Sequence, residues 1–200
     1  MSSMIYLASN SPRRSELLNR VGVAYTVLMP EGQQEAVDET PLEEELPLDY
    51  AVRLAKAKAL AGWQRLEHTH LPRHPVLAAD TTVAVGHRIL GKPADADEAR
   101  SMLELLSGNV HEVVTAVAMI NPPGFEYRVS VTRVWFRTLS RKDIEAFIST
   151  GEYRDKAGGY GIQGFASRFI ARIDGSPSGV MGLPLFETDQ LLSLFGRGIQ

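Results

Sequence analysis

The chain contains no cysteine, which excludes disulfides, thiolate metal sites and cysteine nucleophiles together and suits a reducing compartment. It has no excess of positive charge. Lys and Arg number 21 against 24 Asp and Glu, a formal charge of −3, so there is no general basic field for polymeric nucleic acid. Any affinity for phosphate must come from a local cluster. No apolar run approaches the roughly 20 residues of a membrane span. The first apolar stretch, Met4-Ile5-Tyr6-Leu7-Ala8, is short and has no basic segment before it, so neither an anchor nor a signal peptide is expected and the location expected is cytoplasmic. No Gly-x-Ser-x-Gly or Ser-His-Asp arrangement appears, which leaves nucleophilic catalysis without support, and Gly91-Lys92-Pro93 is not a Walker loop.

What remains is an ordinary soluble composition, 44% hydrophobic and 22% charged, in 200 residues, enough for one domain spanning 1–200 in one body or in two lobes around a cleft. Strand-like and helix-like segments alternate, which predicts an α/β fold with a mixed sheet and flanking helices. Ile5–Ala8 reads as a buried strand, and Ser11-Pro12 as a helix start with Ser11 the N-cap, the helix closing near Gly22. Residues 24–48 read as irregular and acidic, with Glu43-Glu44-Glu45 a solvated face. The spacing of Tyr50, Leu54, Ala57, Lys58 and Ala61 predicts a long helix from Leu48 to about Leu66, carrying Arg53, Lys56 and Lys58. Val76–Val85 and Arg88–Leu90 read as strands joined by a type II′ turn at Gly86-His87. Asp95 and Glu98 predict a capping box for a helix through Leu106, and Ser140 caps a helix to Ile148. Val110–Ile120 and Tyr127–Thr138 form a long hairpin about Asn121-Pro122-Pro123-Gly124, Phe169–Ile173 is a strand, and Pro184 opens a last helix that ends near Gly196.

Asp80 is the most informative residue. It lies between the apolar runs Pro75–Ala79 and Val83–Val85, where an ionised side chain costs several kcal/mol unless it is paired or bound to a metal. Ser9-Asn10-Ser11-Pro12-Arg13-Arg14 places two arginines in a first helical turn, against the macrodipole. Either a phosphate resolves that conflict, bound by Arg13 with hydroxyls from Ser9 and Ser11, or both arginines reach solvent. Val37-Asp38-Glu39 and Asp80 supply hard oxygen ligands suited to Mg²⁺ or Mn²⁺, although without Asp80 the pair Asp38-Glu39 reads as surface loop. Lys58 and Lys92 can present point charges to a triphosphate. In Asp155–Gly164 the glycines allow close backbone approach and Gln163 can read donor and acceptor positions of a base, or the segment is a packed loop. His68, His70 and His74 have the ligand type of a zinc site but lack further partners.

Taken in order, Leu7–Arg14, Val37-Asp38-Glu39, Arg53–Ala59, Ala79-Asp80-Thr81, Gly91-Lys92-Pro93, Asp155–Gly164 and Gly182-Leu183-Pro184-Leu185 resemble the motifs of the Maf nucleotide pyrophosphatases over nearly the whole chain. The resemblance implies an α/β fold with a deep substrate cleft, similar to inosine triphosphate pyrophosphatases. It implies a metal-dependent enzyme, using Mg²⁺ or Mn²⁺, that cleaves nucleoside triphosphates between the α and β phosphates, and it implies a homodimer. Arg13 after Pro12, Thr81 after Asp80, and Gln163 in Gly161-Ile162-Gln163-Gly164 match the branch acting on dTTP and UTP, as distinct from the branch acting on 7-methyl-GTP. On this resemblance Asp80 is general base and metal ligand, Glu39 a metal ligand, and Ser9, Arg13, Lys58 and Lys92 phosphate-binding, with Arg13, Thr81 and Gln163 selecting the base. One departure is the extra sequence Glu31–Ala36, which makes Glu35 an alternative to Glu39 as the metal carboxylate, although Thr40-Pro41 favours Glu39. A purine-directed pyrophosphatase is the nearest alternative enzyme. A non-catalytic nucleotide-binding regulator of septum formation is the alternative from another class.

Overall fold

A computed structural model describes residues 4–29 and 37–196. The alternative ligand Glu35 falls outside the described residues. Strands β1 (Ile5–Leu7), β2 (Tyr25–Val27), β3 (Val76–Val85), β4 (Arg88–Leu90), β5 (Val110–Asn121), β6 (Gly124–Phe136) and β7 (Ile170–Asp174) make one mixed sheet in the order β2-β1-β3-β5-β6-β7, with β4 also on β3. β1 is parallel to β2 and β3, and the remaining pairs are antiparallel. Helices are α1 (Pro12–Arg20), α2 (Pro47–Glu67), α3 (Ala96–Leu106), α4 (Arg141–Thr150), α5 (Pro177–Val180) and α6 (Leu185–Leu194). The expected mixed α/β sheet with flanking helices is what forms. Among the described residues no helix is long and apolar enough to cross a membrane.

β3 is covered on both faces, which is why its sequence is a continuous apolar run and not an alternation. Val76 and Ala78 point to α2, where Ala51, Ala55, Ala59, Trp63 and Leu66 form the covering row. Leu77 and Ala79 point the other way, onto Leu17 and Leu18 of α1 and Leu191 and Leu192 of α6. The alanines and Gly62 keep α2 close: a Cβ at Gly62 would lie 2.9 Å from Ala8 Cβ and from Val76 Cγ1. A third cluster, including Val83, Leu103, Phe136, Phe147 and Phe169, packs α3, α4 and β7 against the far end of the sheet.

Three local expectations are corrected. Residues 24–48 are not wholly irregular, because Tyr25–Val27 pairs in parallel with β1. Ser11 stands at the N-cap position of α1 but its side chain caps nothing; the Ser9 hydroxyl instead accepts the Ser11 N–H at 3.2 Å. At α3, Asp95 accepts from the N–H groups of Asp97 and Glu98, but Glu98 reaches back to Ala94 N and not to the cap, so the box there is half made. The complete capping box is at α4, between Ser140 and Asp143.

The order of pairing along β3 positions the site. β1 pairs with it at Val76 and Leu77 and β4 at Val83–Val85, while β5 runs beside it from Val76 to Ala84. Residues 78–82 therefore have a strand on one edge only. Asp80 lies in that gap, beside the turn by which the chain leaves β1 for α1. This is the crevice beyond a strand's carboxyl end where open α/β sheets bind ligands.

Candidate active site

The gap opens into a cleft of about 830 Å³. Its lining brings together Ser9, Arg13, Glu39, Lys58, Asp80, Thr81, Lys92 and Gln163, while Asp38, His68, His70 and His74 lie outside it. The same wall adds Arg14, Arg65, Arg154 and Lys156, so seven cations and three carboxylates (Glu39, Asp80 and Asp155) face one space. In a chain of net charge −3 this is a concentrated positive field, suited to a small polyanion.

At the centre, Asp80 is 6% exposed, and its Oδ1 accepts a hydrogen bond from Lys58 Nζ at 2.6 Å. The same ammonium lies 2.6 Å from Glu39 Oε1, and Lys92 Nζ lies 3.5 Å from Glu39 Oε2. Burial pushes the Glu39 carboxyl up, but Lys58 and Lys92 outweigh it and hold the group below its ordinary range. Thr82, two residues on and on the same face of β3, sets its hydroxyl 3.5 Å from Asp80 Oδ2.

Glu39 reaches this point because α2 holds its loop. The Tyr50 hydroxyl donates to Glu39 O at 2.8 Å, and Arg53 donates to Thr40 O at 3.1 Å and, by a two-nitrogen grip, to the Glu45 carboxylate at 2.7 Å. Tyr50 is pushed up to about 12 by burial and by the fields of Asp80 and Glu39, so it remains a donor. Asp38 turns away; its Oδ1 accepts Thr40 N at 2.9 Å in a local turn. Thus Arg53, which the sequence placed beside Lys58, positions the acidic loop and is itself outside the cleft lining.

The two arginines at the start of α1 separate. Arg14 donates from Nε to Gly182 O at 2.8 Å and from Nη1 to Ser9 Oγ at 2.9 Å, tying α1 to the turn before α6. Burial draws its pKa down, with Asp80 acting in the opposite sense. Arg13 has no hydrogen bond or ion pair among the described residues and is the free guanidinium of the turn. Ser9 accepts twice, from Arg14 and from Ser11 N, and so keeps its own proton to donate. Across the cleft, Lys156 donates to the Glu152 and Arg154 carbonyls, and burial and the neighbouring Arg13 charge both lower its pKa. Glu152 and Asp155 act in the opposite sense on Lys156 without outweighing these effects, and an anion placed between the two cations would relieve their repulsion.

Thr81 points to the opposite face of β3 from Asp80, 3.1 Å from the Thr115 hydroxyl, which also donates to Gly179 O at 2.8 Å. Gln163 is exposed on the glycine-rich wall with its amide unpaired among the described residues. The loop follows the sheet closely: Gly158 has φ +67° and a Cβ there would lie 2.9 Å from Val83 Cγ1. Arg14, Tyr50 and Lys156 are the residues that sequence reasoning left without a role. For Tyr50 the signal was available, since it is eight residues before Lys58 on the same helical face.

The donors fit a hard divalent cation. Two carboxylate oxygens from different elements already share one cationic nitrogen at 2.6 Å, and no thiolate or imidazole faces them. Among the described residues there is no cluster of three or more His, Cys, Asp or Glu placed for a metal, so phosphate oxygens and water would complete the shell.

The family model described as "Maf-like protein" matches residues 4–195. The chain is 51% identical to the dTTP/UTP pyrophosphatase of Nitrosomonas europaea, over 98% of this chain and 96% of that one. It is 48% identical to the dTTP/UTP pyrophosphatase of Aliivibrio fischeri, over 98% and 100% respectively. Among solved structures, the Ham1 protein of Staphylococcus aureus is similar with a TM-score of 0.43 at 16% identity, covering 66% of this chain and 71% of its own.

Proposed function

The chain belongs to the Maf family, and on that premise we propose that it is a nucleoside triphosphate pyrophosphatase that hydrolyses dTTP and UTP to the monophosphate and pyrophosphate. The observation that carries this reading is the meeting of Asp80 and Glu39 on one cationic nitrogen inside a cleft where cations outnumber carboxylates seven to three. Carboxylates alone would repel a triphosphate, and cations alone would bind it without activating water. Relatives that align over nearly their full length and are named for this activity support the same reading.

In this proposal Asp80 accepts a proton from the attacking water, whose oxygen joins one phosphoryl product as the α–β anhydride bond breaks. Glu39 and Asp80 are the residues that would hold Mg²⁺ or Mn²⁺, which when bound would neutralise charge on the phosphate oxygens. Ser9 donates its hydroxyl proton to a phosphate oxygen. Arg13, Lys92 and Lys58 receive the negative charge that develops on pyrophosphate, with Lys58 moving between carboxylate and phosphate partners. Thr81 and Gln163 lie on two walls of the cleft and select the pyrimidine, together with Arg13.

A panel of triphosphates assayed for pyrophosphate with Mg²⁺ or Mn²⁺ tests the reading. dTTP and UTP should lead 7-methyl-GTP and inosine triphosphate clearly. Comparable rates on all would defeat the pyrimidine assignment, and saturable binding without pyrophosphate release would identify a nucleotide-binding regulator.

A further inference from the structure

His111, near the start of β5, is paired with Val134 of β6 and only 2% exposed. Its Nε2 lies 2.6 Å from the hydroxyl of Tyr160, itself 5% exposed, while its Nδ1 is buried with no partner. The hydrogen bonding decides the tautomer. If the Tyr160 O–H donates to Nε2, a single buried N–H is left over. With the proton on Nε2 both Nδ1 and the phenolic proton lack partners. Each such orphan costs about 1–3 kcal/mol, so the first arrangement prevails. Phe136 packs edge-on to both rings, with centroids 5.1 Å from His111 and 4.9 Å from Tyr160.

A buried polar pair that retains an orphan needs a reason. The reason offered by the topology is the loop that follows. β5 is the strand that pairs with β3, Ala116 opposite Asp80 and Val113 opposite Val83. Tyr160 belongs to the cleft wall Tyr160–Gln163. Before it, the loop is tied by Gly158 N donating to Gly91 O at 3.0 Å; after it, by Phe165 N donating to the Glu152 carboxylate at 3.0 Å. Between these ties the phenol of Tyr160 makes the one side-chain hydrogen bond from residues 159–163 to the sheet among the described residues.

We infer that His111 and Tyr160 are positioning residues that register the Gln163 wall against the strand pair carrying Asp80, and so govern affinity for the base more than turnover. The inference rests on the proposed reading of Gln163 as a base-selecting residue. It assigns to a buried aromatic cluster a part in substrate choice.

Tyr160→Phe keeps the ring and removes the proton donor. In that variant KM for dTTP should rise about tenfold while kcat changes by about twofold or less, and the preference for dTTP over dGTP should shrink. His111→Gln, which keeps an acceptor for the intact Tyr160 hydroxyl, should hold KM and preference near the wild-type values. A folded Tyr160→Phe with KM and preference unchanged, its melting temperature alone lowered, would reduce the pair to a structural contact and overturn the inference. Hydrogen exchange over residues 155–165 needs no turnover: it should quicken in Tyr160→Phe, and unchanged exchange also overturns the positioning role. If the wild type releases no pyrophosphate from dTTP, the functional reading fails while the exchange result still decides the positioning role.

Discussion

Replacing Lys58 by methionine tests whether the centre of the cleft is a cation site. The substitution keeps the apolar stem of the side chain and removes the charge that lies 2.6 Å from both Asp80 and Glu39. Taking one partner from a buried ion pair costs about 3–5 kcal/mol, because the other charge is left uncompensated. Here Asp80 is buried, but the Glu39 side chain is 43% exposed and retains Lys92 at 3.5 Å, so the loss should be smaller, about 2–3 kcal/mol. The same deletion leaves two carboxylates with no ammonium shared between them, Lys92 touching Glu39 alone. A divalent cation should then bind the variant more tightly than the wild type. Binding at about one hundred times Kd returns about 2.7 kcal/mol, enough to offset the lesion. Urea denaturation of both proteins, in chelator and in saturating Mg²⁺, reads these terms directly. The variant should be less stable in chelator and regain most of the difference with Mg²⁺, yet hydrolyse dTTP about 10² slower for want of a phosphate-binding charge. A variant as stable as wild type in chelator, or one whose lost stability Mg²⁺ does not restore, refutes the reasoning.

Asp80→Asn preserves the size of the side chain at the centre of β3 and removes its basicity. Turnover of dTTP should fall by at least about 10² with the circular dichroism spectrum unchanged, and near-normal activity in a folded variant removes Asp80 from the role of base. Acid should act on stability through His111, which burial lowers from 6.5 to about 4. Above the unfolded value neither state carries the proton and the group contributes nothing. Between the two values the unfolded chain binds a proton that the folded chain refuses, so stability falls with pH and is lost in full near the folded value, about 3 kcal/mol in all. Urea titrations at about pH 7 and about pH 4.5 should show the wild type losing about 2 kcal/mol more than His111→Phe, and parallel losses in the two proteins would refute the assignment.

Much of the architecture was legible because local signals agreed with the tertiary demand. α2 was expected from Leu48 to about Leu66 and runs from Pro47 to Glu67, since its alanines both favour helix and fit the narrow space over β3. Gly86 adopts φ +57°, as the first central position of a type II′ turn requires, and β3 and β4 pair about it. β2 was not legible. Tyr25–Val27 has only three residues, and two of them are exposed; the strand exists because β1 has an open edge, where Ile5 N donates to Ala24 O and Leu7 O accepts from Leu28 N. α5, four residues long, is too short to show a period.

The site divides in the same way. Asp80 announced itself because a carboxylate amid apolar residues has a cost that composition cannot hide. Lys58 did not announce which partner it would take, since Arg53 and Lys56 stand on the same helix with the same sign of charge. The structure sends the three to different ends: Arg53 to Glu45, Lys56 over the Tyr127 ring at 3.9 Å, and Lys58 to the two cleft carboxylates. Helical spacing accounts for the separation. Lys58 falls four residues after buried Leu54 and eight after buried Tyr50, so it continues the row that faces the sheet, whereas Lys56 falls off that row. A lysine that keeps the register of a buried row must meet something that justifies its burial. In this chain the carboxylates of Asp80 and Glu39 are what it meets, and their shared hold on one cation is the reason to expect a divalent ion in the same place.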